Sequence, residues 1–336
     1  MGKFSFKDKI KEEVVFDSGI RGKRILLYGC NDTGKTFQAC HFPHPFLIET
    51  EAGGSAVNCP KEDCTERWSK FTDIVDDLVK NADEYEDDLQ TVIIDTAENL
   101  VKLSERAVCN TFGVRDISEI TGKQNGYNIC RTDFQLQINR LTAKRYTVIF
   151  ISHEETIDMT DEVTGEVYKF IQPKGTSNEK SSMRMLRDLC DYCIYCRPNG
   201  IDKETYETIN STAICKRTKN VFARSRFAIK TIVNPFTAEN LISAIEDSVK
   251  KSAEQEGAKV GEIKETEKYT KKDYLEIIKP YVTKLWGVCQ EDVTRIIECE
   301  LGEGRKVSNA TDDELVALDN IYNNLVTKAT LLGIDV

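Results

Sequence analysis

The stretch Arg24-Ile-Leu-Leu-Tyr-Gly-Cys-Asn-Asp-Thr-Gly-Lys-Thr36 limits what this chain can become more than any other: an apolar strand runs straight into the pattern G-x-x-x-x-G-K-T. Gly29, Gly34, Lys35 and Thr36 fill the fixed positions, and the following residues can continue as a helix with no proline before Pro43. Strand, glycine turn and helix start form the setting in which this pattern cradles a polyphosphate. Backbone N–H groups of Gly29, Cys30, Asn31, Asp32, Thr33, Gly34, Lys35 and Thr36 can wrap its oxygens, with the helix N-terminus aimed at the same charge. Lys35 would reach the β- and γ-phosphates, and the Thr36 hydroxyl would be a Mg²⁺ ligand. A plain glycine turn before a helix is the ordinary alternative, but it has no use for the Lys-Thr pair.

A chain of 336 residues can hold one large α/β domain and a smaller module. Its start, Met-Gly-Lys-Phe-Ser-Phe-Lys-Asp-Lys, lacks an apolar h-region, and Phe6 stands where a myristoylation signal wants Ser or Thr. No apolar run approaches the ~18 residues that span a bilayer. A soluble cytoplasmic protein without a membrane partner is the expectation. The 12 cysteines sit mostly in apolar or helical runs, which fits a reducing compartment where thiols pack as small hydrophobes. Cys190-x-x-Cys193-x-x-Cys196 invites a metal, yet it reads as a strand, and strand neighbours three apart point to opposite faces. Cys59 and Cys64 lack a second pair and are a weak zinc signal. A net charge of −10 argues against a protein that coats itself with polyanion, while leaving room for a local basic strip.

Along the chain, residues 1–22 read as an edge strand or an arm. A second strand, Pro45-Phe-Leu-Ile-Glu-Thr-Glu, ends in acids and glycines, where α/β folds bind ligands. A helical pattern over 68–89 leads to a third strand, Gln90 to Asp95. A helix over 97–112 follows, then a polar loop, a helix over 133–141 and a fourth strand, Tyr146 to Glu154, with polar residues at its tip. Residues 155–182 read as a long polar loop, of the kind that is usually functional. A short helix, 183–189, leads to the Cys-rich strand, and strand-like runs cover 205–215 and 227–233. The organisation expected is an α/β core over 1–250, a charged linker over 251–272 and a helical module over 273–336.

Asp95 closes an apolar strand, where a carboxylate can hold the Mg²⁺ shell; capping the next helix is the alternative. Thr96 follows it, where AAA+ enzymes place a catalytic glutamate. The acid that activates water must then come from elsewhere. Glu49 and Glu51 lie on one face of the second strand, and geometry alone does not choose between them.

Gly29 to Thr36, Ile48-Glu-Thr-Glu-Ala-Gly53, Ile93-Ile-Asp95, Phe150-Ile-Ser-His-Glu154 and the basic stretch after Ile214 together resemble the RecA-like ATPase core. The resemblance spans roughly residues 20–245 and is nearest to phage-encoded Sak-type single-strand annealing ATPases. It implies an α/β fold with a mostly parallel central sheet flanked by helices, to which the small helical C-terminal module is appended. It also implies ATP and Mg²⁺ as cofactors, a catalytic set of Lys35, Glu51, Asp95 and His153, and metal contacts from Thr36 and Asp95. Glu51 would activate water and His153 would sense the γ-phosphate. The loop 155–182 would bind single-stranded DNA through Lys174 and Lys180, although Asp158, Asp161, Glu162 and Glu166 oppose a phosphate backbone.

Between Cys215 and Pro235 stand six basic residues and no Asp or Glu, so the run carries no counter-charge of its own. By the resemblance, Lys216, Arg217 and Lys219 are candidate fingers acting on a neighbour's γ-phosphate, with Arg224 and Arg226 for the DNA backbone. The implied protein is an ATP-hydrolysing phage recombination protein that anneals or exchanges strands as a homo-oligomeric ring or filament, with a single-strand-binding protein as a further partner. Two other classes fit the same loop: a nucleotide kinase with Arg224 and Arg226 in its lid, and an ATP-gated loader or scaffold for replication.

Overall fold

The computed structural model describes residues 14–51, 57–122, 125–201, 203–204, 210–261, 270–311, 314–334 and 336. Two compact units emerge, one ending at residue 263 and one whose described part begins at Thr270.

Apolar runs build the sheet of the first unit. Its strands are β1 (Val15–Asp17), β2 (Arg24–Tyr28), β3 (Pro45–Glu49), β4 (Lys61–Asp63), β5 (Thr91–Asp95), β6 (Thr147–Ser152), β7 (Glu154–Thr160), β8 (Val167–Pro173), β9 (Tyr192–Arg197), β10 (Thr212–Ile214), β11 (Arg224–Ser225), β12 (Ile232–Val233) and β13 (Lys259–Gly261). The central sheet runs in the order β4-β3-β5-β6-β2-β9-β10-β12, parallel from β4 to β9 and antiparallel beyond, with β11 also paired to β9. A parallel sheet needs cover on both faces, which is why its strands are almost wholly apolar.

The helices supply that cover. They are α1 (Lys35–Ala39), α2 (Trp68–Lys80), α3 (Ala97–Phe112), α4 (Gly126–Ala143), α5 (Ser182–Leu189) and α6 (Ala238–Glu256). Leu26, Ile94, Val148 and Phe150 face Phe71, Leu100, Phe134 and Leu186 of α2 to α5. Leu27, Ile93, Ile149 and Ile194 face the other way, toward Ala39 of α1 and Leu241 and Ile245 of α6. Because the strands are parallel, β2, β3, β5, β6 and β9 all end on one edge. Phosphate loop, acids and histidine therefore meet there.

Three segments depart from the sequence reading. The polar stretch 155–182 is not one long loop: β7 and β8 pair as an antiparallel hairpin from Glu154–Pro173 to Thr160–Val167. Its polarity hides a period of two, with Thr156, Asp158 and Thr160 exposed and Ile157 and Met159 half-buried between them. The runs 205–215 and 227–233 shrink to β10 and β12, and residues 205–209 lie outside the described ones. Between β10 and β11, which both line β9, the chain leaves the sheet edge in a loop that exposes residues 216–220. Residues 251–261 do not begin a linker. They complete α6, closed by left-handed Gly257 (φ 65°), and form β13, which pairs in parallel with β1.

Cys193 packs on one face of the sheet and Cys196 on the other, as three-residue spacing in a strand dictates. The second unit holds α7 (Lys271–Leu301) and α8 (Leu315–Leu331), and Cys289 (φ −148°, ψ 58°) breaks α7 into two helical pieces. Ile278, Leu285, Val293, Ile297, Leu318, Ile321 and Leu325 form its own core.

Candidate active site

The phosphate loop is held by its neighbours. Gly29 N–H donates to the Ser152 carbonyl at 3.3 Å, and a Cβ at Gly29 would lie 2.4 Å from the Cys196 carbonyl oxygen, so only glycine lets β2 turn beside β9. Gly34 at the start of α1 is left-handed, with φ +77°. Lys35 is buried, and its ammonium donates to the carbonyls of Gly29 (3.0 Å) and Cys30 (2.6 Å) and to Thr33 Oγ1 (3.4 Å). Cys30 sits partly exposed in the loop, and burial pushes its thiol up.

Thr36 Oγ1 donates to Asp95 Oδ2 at 2.7 Å, which joins the helix start to the end of β5. Burial pushes the Asp95 carboxyl above its ordinary range. Glu51 and Glu98 push the same way, against the Thr36 hydrogen bond and the Lys35 charge. The next peptide, Asp95–Thr96, is cis.

The acid that ends β3 and the acid two residues past it separate in space. Glu51 Oε2 accepts from Asn99 Nδ2 at 2.7 Å and from Thr96 Oγ1 at 3.3 Å, on the side of Asp95. Glu49 turns toward the sheet edge, where Lys61 Nζ lies 3.8 Å away. Glu51 thus reaches Asn99 and Thr96 and acts on the Asp95 carboxyl, whereas Glu49, in register with Asp95 across β3 and β5, has Lys61 as its charged neighbour.

Since β6 lies between β2 and β5, its tip sits between the phosphate loop and the acids. His153 occupies that tip. Its Nδ1 is 2.6 Å from Glu98 Oε1, and its backbone N–H donates to the same oxygen at 3.1 Å. Glu98 is buried in the first turn of α3, and the sequence reading had passed it over. A signal was available, because an acid three residues past a strand-ending aspartate falls one helical turn along, facing the same edge.

The hairpin rises from this point. Lys174 N–H donates to the His153 carbonyl at 2.9 Å, and Glu155 folds the turn beyond β8 by accepting from Gly175 N–H (2.9 Å), Ser177 N–H (2.9 Å) and Gln172 Nε2 (2.8 Å). The Lys174 and Lys180 side chains are exposed near this turn. Tyr28 at the end of β2 donates its hydroxyl to the carbonyls of Phe222 and Ile171, which ties phosphate-loop strand, hairpin and basic loop together.

The basic run does find counter-charges, from other elements. Lys219 Nζ lies 3.4 Å from Glu166 and 5.3 Å from the Tyr168 ring, and the Arg217 guanidinium lies 5.0 Å from the Phe170 ring. Lys216 is exposed. Arg224 donates to the Asp188 carbonyl at 2.7 Å, while Arg226 pairs with buried Asp191 at 3.4 Å and donates to the Leu189 carbonyl at 3.3 Å. These last two arginines brace β11 against the end of α5.

Comparison with known proteins shows the family. A family profile described as an AAA domain matches residues 21–227. The chain belongs to that family. It is also 30% identical over 322 residues to the SPbeta prophage-derived uncharacterized protein YorG of Bacillus subtilis (strain 168), a match covering 93% of this chain and 95% of that one. The matched region takes in the phosphate loop, both acidic strands, His153 and the basic loop, so the site just described lies wholly within the AAA domain. Nucleotide binding follows from membership. Among the described residues, no helix is long and apolar enough to cross a membrane.

Proposed function

We propose that this protein hydrolyses ATP and couples hydrolysis to work on single-stranded DNA in phage recombination, as a homo-oligomer in the cytoplasm of the host cell. One observation carries the hydrolytic part: Thr36, Asp95, Glu51 and His153 converge around the phosphate loop at the C-terminal edge of the parallel sheet. Lys35 has only to turn from the loop carbonyls to meet the β- and γ-oxygens. Glu51, braced by Asn99 and Thr96, is placed to polarise an attacking water, and His153 stands where a γ-phosphate ends.

The donor set fits Mg²⁺, since a dication relieves the repulsion that Glu51 and Glu98 impose on Asp95. Thr36 and Asp95 would hold it, and it would supply charge against the phosphate oxygens.

The DNA part rests on the basic loop and hairpin. Exposed Lys216, Arg217 and Lys219 gather there beside the half-buried ring of Tyr168, cations that can take a phosphate backbone next to an aromatic edge. Glu166 lies at the hairpin tip, about 20 Å from the base at 3.3 Å per residue, so Lys219 beside it stands far from its own phosphate loop. A finger role for Lys219 would therefore act on a neighbouring subunit, while Arg217, over Phe170, lies nearer the base of the hairpin. Arg224 and Arg226 are engaged with Asp188, Leu189 and Asp191, which leaves them poorly placed for the lid of a kinase.

The test is ATP turnover with Mg²⁺, measured with and without single-stranded DNA. Turnover that DNA stimulates is the expected result. No turnover in either condition refutes the hydrolytic reading, and turnover indifferent to DNA refutes the DNA reading.

A further inference from the structure

We propose that Glu98 is a positioning residue for His153: its carboxylate accepts from Nδ1–H and so leaves Nε2 as an acceptor aimed at the end of the phosphate site, where it can accept from the water that attacks the terminal phosphate. The inference rests on the reading of His153 at the γ-phosphate end of the site.

Glu98 is 5% exposed. A single oxygen, Oε1, meets both Nδ1 of the His153 ring (2.6 Å) and the His153 backbone N–H (3.1 Å). An ionised carboxylate only accepts, so Nδ1 carries a proton and donates it to Oε1. The ring's other nitrogen, Nε2, has no hydrogen-bond partner among the described residues. It is the atom left to face a ligand. His153 cannot drift to another orientation by moving its backbone, because its N–H is held by Glu98 and its carbonyl by Lys174 N–H at 2.9 Å. Three fixed points on one residue leave little to organise when a phosphate arrives.

The ordinary alternative is that Glu98 is an acid in the first turn of a helix, welcomed by the dipole. Such an acid is normally exposed. Here the second oxygen, Oε2, is buried and has no partner among the described residues. Buried polar atoms are nearly always paired, and one left unpaired beside Asp95 and Glu51 is a poor arrangement for holding a fold together. It is reasonable for a group whose work is to hold an imidazole. Where a carboxylate orients a metal-bound histidine in this way, its loss typically costs about 10–100-fold, and a loss of that order is expected here.

The chain has 3 histidines, so the full-length protein labelled with ¹⁵N-histidine gives a spectrum simple enough to read tautomers, with His153→Asn identifying the His153 signals. Wild type should show the proton on Nδ1, and Glu98→Ala should lose that preference. In ATP turnover, Glu98→Ala should lower kcat by about 10–100-fold while KM stays within about threefold. Introduced into His153→Asn, Glu98→Ala should cost nothing further, because the two act as one unit. Glu98→Gln, which keeps the shape and can accept through its carbonyl oxygen, should restore the wild-type tautomer and part of the rate, and guards against a folding defect in the alanine variant. An unchanged tautomer in Glu98→Ala, or a full further loss in the His153→Asn background, would overturn the assignment. Should the wild-type protein hydrolyse no ATP, the proposed function fails, and the tautomer comparison still decides the role of Glu98.

Discussion

Replacing Asp95 by Asn separates what the acid cluster does to the fold from what it does in chemistry. In the folded chain the Asp95 carboxyl is pushed up by burial and by Glu51 and Glu98. The stability this group contributes is complete below the ordinary carboxylate range and is lost as pH rises through its raised value. At neutral pH the fold therefore carries a charge it holds at a cost. Asn keeps an oxygen able to accept the Thr36 hydrogen bond, now 2.7 Å long, and removes the charge. The Lys35 ammonium loses a nearby anion, which offsets part of the gain. A net stabilisation of about 0.5–2 kcal/mol is expected, as for other relieved functional sites, and at about 2–4 °C per kcal/mol it raises Tm by roughly 1–8 °C. Ligand acts the other way. At a hundredfold excess over Kd, Mg-ATP adds about 2.7 kcal/mol to wild type, and it should add less to the variant, whose Mg²⁺ contact is impaired. Thermal unfolding in EDTA and in Mg-ATP, at pH 7 and at pH 5, gives the four values needed for each protein. The variant should melt higher than wild type in EDTA and gain less from Mg-ATP, and the EDTA difference should narrow at pH 5 as wild-type Asp95 takes up a proton. A variant that melts lower in EDTA at neutral pH would show that the Asp95 charge supports the fold, and an equal Mg-ATP shift would place it away from the metal.

Glu51→Gln should bind ATP normally and hydrolyse it about 10²–10⁴-fold more slowly, as loss of a base does; the same loss in Glu49→Gln alone would reverse the choice between the two. Gly29→Ala forces a methyl against the Cys196 carbonyl, 2.4 Å away, and should cost about 1–3 kcal/mol by thermal melting along with ATP binding; wild-type values for both would refute the close approach. A chain ending at residue 263 should stay folded and bind ATP, because the second unit has its own core, and aggregation on expression would count against that independence. Arg217→Ala and Lys219→Ala should each bind ATP yet hydrolyse it at least about tenfold more slowly, and mixing either with Lys35→Ala should recover turnover through a mixed interface. Turnover that stays first-order in protein at every dilution, with no assembly by sizing, would defeat the finger role.

The fold was legible where hydrophobicity had to be continuous. Ile25 to Tyr28, Val92 to Ile94 and Val148 to Ile151 are buried on both faces, and such strands leave no room for a polar residue that might disguise them. The hairpin was illegible for the opposite reason. Only one of its faces is covered, the one shared by Ile157, Met159, Tyr168 and Phe170 under Arg217 and Lys219, so Asp158, Lys169 and Val167 were free to be polar or apolar without penalty, and composition over 155–182 averaged to that of a loop. The residues past Lys251 misled similarly: the solvent side of α6 is written in Lys and Glu whether or not the helix ends, while Ala253 on its buried side is too small to announce itself.

The site divides along the same line. Phosphate-loop residues are readable because backbone shape dictates them: Gly29 has the Cys196 carbonyl where a side chain would be, and Gly34 turns with φ +77°. Asp95 is readable because a strand's end locates it. Between Glu49 and Glu51 the sequence offers no choice, since both point to one face. Their partners part only where β4 brings Lys61 beside Glu49 and α3 brings Asn99 beside Glu51. Glu98 needed more, because its meaning depends on His153, fifty-five residues away along the chain, and on β6 being inserted between β2 and β5. Motifs record what one stretch of backbone must do. A pair such as Glu98 and His153 records what two stretches must do together, and strand order decides which stretches those are.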